Sequence, residues 1–131
     1  SNMAESPSEW LLQADYDIDT AKTMFDSGRY FYAVFMVHLS IEKCLKGLFW
    51  KVLNEVPPKT HHLKYLVQKI NIEPNTRIKE IIFDIDDLSV PTRYPESLKN
   101  IISSFKKEDT EEMIKNAAEV IKWIKEMFLK Y

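Results

Sequence analysis

Cysteine is nearly absent from this chain: Cys44 is the only one in 131 residues. A single thiol excludes an intramolecular disulfide and any zinc site built on cysteines. It fits the reducing cytosol, where the protein is expected. Glycine is scarce too, with only two residues, and no stretch rich in Gly, Ser or Gln reads as a linker. A Gly-rich phosphate loop and a Gly-x-Ser-x-Gly elbow are both missing. Net charge is −2, so no overall basicity points to DNA or to an anionic membrane, although a local basic patch stays open. The apolar run Tyr30–Leu39 is too short to span a bilayer, and Glu42, Lys43 and Lys46 follow it closely. Nothing at the start reads as a signal peptide.

What remains is an ordinary globular composition, 45% apolar and 29% charged, in a chain long enough to bury one core. A single domain over residues 3–131 is expected, with Ser1 and Asn2 read as the remnant of an expression tag. Ser6-Pro7-Ser8-Glu9 has the form of a capping box with proline at the first helical position. Helical spacing of Trp10, Ala14, Ile18, Ala21 and Phe25 follows, up to a stop at Gly28. A second helix, from about Tyr30 to Asn54, is apolar nearly all round in its first half and is predicted to be central. Pro57-Pro58 is read as its end.

Thr60 is expected to cap a short helix beginning near His61. A fourth helix runs from Thr76 to about Leu88, with Ile78, Ile81, Ile82 and Ile85 inward and Asp84, Asp86 and Asp87 outward. Leu98, Ile101, Ile102 and Phe105 suggest a short helical piece. A final helix, capped by Asp109-Thr110-Glu111-Glu112, carries the stripe Ile114, Ala117, Ile121, Ile124 and Phe128. The pattern predicts an all-α, up-and-down antiparallel bundle of four to five helices with short connections.

Two places could carry chemistry. His38, Glu42 and Lys46 are four residues apart in succession and stack on one face of the central helix. On a surface such a row would be a solvated pair worth about 0.3–0.5 kcal/mol. On a buried helix it needs partners, and partners mean a polar site or an interface. His38 and Glu42 supply only two potential metal ligands, and no Glu-x-x-His matches them elsewhere, so no metal and no cofactor are expected. The second place is "LSVPTRYPES", where two prolines brace Arg93 and Tyr94. Arg93 offers a planar fork suited to phosphate, and Tyr94 a flat face and a hydroxyl. The structural alternative is that Arg93 pairs with a helix end and Tyr94 plugs the bundle. For His61 and His62 the plain expectation is that one packs at a helix start and the other is solvated.

These pieces, in order, resemble a HEPN domain. They are the opening helical pair "WLLQADYDIDTAKTMFDSGRYFYAVFMVHLSIEKCLKGLFW", the Glu-Lys-x-x-Lys core at Glu42, Lys43 and Lys46, "THHLKYL" at Thr60–Leu66, and "TRYPE" at Thr92–Glu96. The resemblance implies a helical bundle that usually dimerises. It also implies a minimal nucleotidyltransferase as protein partner, often in a two-component or toxin–antitoxin pair. Some members bind nucleotides, and others are metal-independent ribonucleases.

The ribonuclease branch pairs an Arg with a His a few residues on. Downstream of Arg93 stand Leu98, Lys99 and Asn100, and no His follows His62. Unperturbed, Lys99 is about four pKa units too basic to accept a proton at neutral pH. The resemblance therefore implies a non-catalytic, dimeric binding module. Arg93, Tyr94, Lys43 and Lys46 would hold nucleotide or RNA phosphate beside the His38–Glu42 row. The alternative is a ribonuclease toxin with a non-standard site. The dimer is also expected from an apolar face at Phe31, Phe35, Phe49 and Trp50.

Overall fold

A computed structural model describes residues 4–88 and 94–131. Among these, every regular element is a helix: α1 (Pro7–Asp26), α2 (Tyr30–Leu53), α3 (Leu63–Ile70), α4 (Thr76–Asp87), α5 (Leu98–Ser103) and α6 (Lys107–Leu129). Ser6 starts α1 as its spacing predicts, with its hydroxyl accepting the Glu9 N–H and Pro7 entering the first turn. Gly28 then turns the chain at φ +74°, a conformation that costs glycine little. Asn54, in the left-handed region, closes α2 ahead of Pro57-Pro58.

The short turn at Gly28 forces α1 and α2 antiparallel, and the contacts follow. Early α1 meets late α2 where Gly47 touches Pro7, Trp10 and Leu11. Further along, the Ser40 hydroxyl donates to the Ala14 carbonyl at 2.8 Å. Helix α2 is the axis: it packs on α1, α6, α3 and α4. Fourteen of its 24 residues are buried, which is what an all-round apolar helix requires. Ile41, Leu45 and Leu48 meet Leu66 of α3, Ile82 of α4, and Val120 and Ile124 of α6 in one continuous core. Cys44 belongs to it, and burial, with Asp15 adding to the effect, pushes its thiol up to about 12, so it packs as an inert side chain.

Four expectations change. Helix α6 begins at Lys107, before the acidic run, and its N-cap Lys106 provides no side-chain bond. Thr110 is buried and returns its hydroxyl to the Lys106 carbonyl. Helix α3 begins at Leu63, and Thr60 instead accepts the His62 N–H. Asp86 does not face outward: its side chain is 7% exposed, turned toward α2 and the start of α3. Finally, Phe31 and Phe49 are buried within the bundle. The four aromatics of α2 are therefore not an exposed face. The exposed apolar side chains around the hollow at the start of α2 are Tyr32, Leu98 and Ile102.

The close crossing of α1 and α2 gives a testable number. A Cβ at position 47 would lie 2.9 Å from the Pro7 carbonyl oxygen and 3.2 Å from Leu11 and Trp10 atoms. Alanine would gain up to about 1 kcal/mol of helix propensity, against about 1–3 kcal/mol for overpacking. Gly47→Ala is expected to lower the urea midpoint. A raised midpoint would show that the crossing has slack.

Candidate functional site

Glu42 is 3% exposed and Lys46, one turn on, is 5% exposed. The Lys46 ammonium lies 3.0 Å from Glu42 Oε2, so the expected row is real and buried. A third partner arrives from another element. His61 Nδ1 stands 3.0 Å and 3.2 Å from the two Glu42 oxygens. A carboxylate only accepts, so Nδ1 carries the proton, and Nε2 faces away as an acceptor whenever the ring is neutral. His61 is therefore not simply packed or solvated: its side chain stays 57% exposed while its ring is held by Glu42. His62 is exposed as well, at the N-cap of α3.

His38 is 1% exposed, and both of its ring nitrogens are buried without a hydrogen-bond partner. They lie between two carboxylates, 3.9 Å from Glu42 and 3.6 Å from Asp86. Asp86 in turn accepts the Leu63 N–H at 2.9 Å and the Lys64 N–H at 3.2 Å, capping α3 from α4. Burial pushes the Asp86 carboxyl up, but the close His38 ring and these two amides outweigh it and hold the group below its ordinary value. Asp86 escaped sequence reasoning because it occupies one of three acidic positions near the end of α4, and its partners lie 22 and 23 residues away.

The row opens on a cleft of about 410 Å³ lined by Trp10, Gln13, Glu42, Lys43, Lys46, Lys59 and His61. Three lysines line it, against one acidic residue. Lys43 is tied to Asp17 at 2.8 Å, and Lys46 lies over the Trp10 ring, 5.5 Å from its centre. Lys59 is exposed, on the loop leading to α3. A second hollow, between α4 and α6, has the opposite sign, with Asp84, Asp109 and Glu112 in its wall. It would repel an anion.

Of the predicted site residues, Lys43, Lys46, Glu42 and His38 come together. Tyr94 is 78% exposed and does not plug the bundle. Arg93 lies outside the described residues. Among the described residues no group of three or more His, Cys, Asp or Glu is arranged to hold a metal, and no helix is long and apolar enough to cross a membrane.

The family model described as the HEPN domain matches residues 7–127. The chain belongs to the HEPN domain family. A Methanocaldococcus jannaschii relative named "Putative toxin MJ1304" is 28% identical over 134 residues, which cover 92% of this chain and 86% of that protein. Two solved structures share the fold. One is ST0689, an archaeal HEPN homologue, with TM-score 0.77 and 22% identity over 95% of this chain and 98% of its own. The other is TT1696 from Thermus thermophilus, with TM-score 0.81 and 22% identity over 92% of this chain and 97% of its own. Within this HEPN domain the cleft lies where α1, α2 and the loop before α3 meet.

The Asp86 geometry sets a pH dependence. A carboxyl held low in the folded state contributes stability that is fully present above its ordinary value of 3.8. That contribution is lost as pH falls through the lower, folded value. Asp86→Asn keeps one acceptor oxygen but loses the charge at the helix start, and is expected to cost about 0.3–1 kcal/mol at neutral pH, or up to about 4 °C in melting temperature. Melting curves from pH 7 to pH 2 should show the two proteins converging at the acid end. A gap that stays constant would remove the ionic role.

Proposed function

We propose that this HEPN domain is a non-catalytic binding module whose cleft takes a phosphate-bearing ligand, a nucleotide or an RNA backbone. The observation that supports this most is the convergence of Lys43, Lys46 and Lys59 with His61 on one opening whose single lining carboxylate is already engaged by Lys46 and His61. Glu42 and Asp17 hold two of the ammonium groups in place, so less side-chain entropy is lost when an anion arrives. Phosphate suits such a site because its charge is spread over several acceptor oxygens. Lys46 over the Trp10 ring occupies an aromatic face that a base would otherwise stack on. In this reading the phosphate makes the main contacts.

The reading also has the module dimeric and paired with a minimal nucleotidyltransferase, as the family resemblance implies. Light scattering tests the first, and co-purification from the native host tests the second. For the cleft itself, calorimetric titration with ATP, GTP and short RNAs is the direct test. Lys59 makes no ion pair with the described residues and is exposed, so Lys59→Glu should fold normally and weaken binding about tenfold, with a shallower salt dependence. Absence of heat at millimolar ligand, with the fold intact, overturns the reading.

One observation favours a second reading. His61 is oriented by Glu42 as a general base would be, with Nε2 left as the acceptor among the lysines. The relative's name, a toxin, agrees with a metal-independent ribonuclease. Labelled RNA incubated with the protein in EDTA decides it. Cleavage abolished by His61→Gln would establish the toxin reading, and intact RNA leaves the binding module.

A further inference from the structure

Asp86 links more parts of the molecule than a helix cap needs to. Its two oxygens reach the Leu63 and Lys64 amides of α3, and one of them lies 3.6 Å from His38 of α2. Helix α3 has eight residues, too few to be stable alone, so tertiary contacts must set where its first turn lies. Its own N-cap does not help, because His62 makes no side-chain cap bond and its N–H is taken by Thr60. The carboxylate from α4 supplies what the local sequence lacks, satisfying two of the orphan amides at a helix start where negative charge is favoured.

His61 is two residues before Leu63. Two residues of chain span at most about 7 Å, so a displacement of the first turn of α3 is passed to the His61 backbone. The imidazole bond to Glu42 is 3.0 Å long, and a shift of about 0.5 Å would take it out of hydrogen-bond range. Glu42 and Asp86 are thus joined twice. One route runs through His61 and the backbone to Leu63, and the other through the His38 ring between them.

We infer that Asp86 is a positioning residue for the cleft: by pinning the first turn of α3 it sets the His61 imidazole on Glu42. Asp86 does not line the cleft, so it influences a bound anion through its neighbours, His61 foremost, rather than by contact. The affinity part of this inference rests on the cleft reading above. The positioning of His61 does not.

The test has two arms. In the ligand-free arm, the ring resonances of His61 are followed by NMR in the full chain, in the parent protein, Asp86→Asn and Asp86→Glu. The inference expects the Nδ1 proton bonded to Glu42 to be lost or shifted in both variants, while core methyl resonances stay native. Unchanged His61 resonances in a folded variant overturn it. Asp86→Glu keeps the charge on a longer arm and serves if Asp86→Asn is too unstable to measure. The second arm is a double-mutant cycle read by calorimetry with ADP. Asp86→Asn should weaken binding about fivefold, and should add nothing in a His61→Gln background, because contacting or relayed residues are non-additive. Equal effects in both backgrounds would reduce Asp86 to a cap that stabilises the fold. If neither ADP nor a short RNA binds any of the proteins, the cleft reading fails while the NMR arm still decides the positioning.

Discussion

A carboxylate cannot be taken out of water alone. Glu42 stands on the most buried helix of the bundle, where a polar side chain needs charged or hydrogen-bonded neighbours. Lys46 comes from its own helix one turn on, His61 from the loop before α3, and His38 from the preceding turn. That one requirement draws a surface loop against the central helix. It also gathers cations at the edge of α2. The cleft follows from satisfying a buried charge.

The electrostatics of the cluster explain its asymmetry. Asp86 is held low because two amides and a nearby imidazole act on it together, despite its burial. Outside the cluster the ion pairs do something different. Arg77 with Glu119 and Lys64 with Asp87 are exposed, each side chain remaining between 44% and 66% accessible to water. Pairs of that kind contribute little to stability at physiological salt. Arg77 and Glu119 do tie α4 to α6, and Lys125 with Asp15 ties α6 to α1, in keeping with the helical core beneath them.

Much of the bundle was legible because its signals are local. Ser6-Pro7 starts α1 and Gly28 ends it through contacts within four residues. The stripes of α4 and α6 repeat every three or four residues, and the all-round apolar character of early α2 marks it as central. Where the reading failed, a competing local signal was present. Asp109-Thr110-Glu111-Glu112 has the form of a capping box, yet the last helix extends one turn further back, and Thr110 spends its hydroxyl on the Lys106 carbonyl. Phe31 and Phe49 looked like surplus apolar area. They are covered, with Phe105 reaching Phe31 from the α5 side.

By itself the sequence determined the helices, their order, the central place of α2, and the His38–Glu42–Lys46 row, since each is encoded within a few turns of one segment. It also carried the family, through pieces whose order along the chain is itself the signal. Only the tertiary structure decided that His61 joins Glu42 across 19 residues, that Asp86 turns inward to cap α3, and that Lys59 shares a cleft with Trp10. The reason is physical. Hydrophobic periodicity says which face of a helix is buried, but not which polar group from another segment will meet a charge buried there. That choice depends on how the helices are placed in three dimensions, and no single segment contains it.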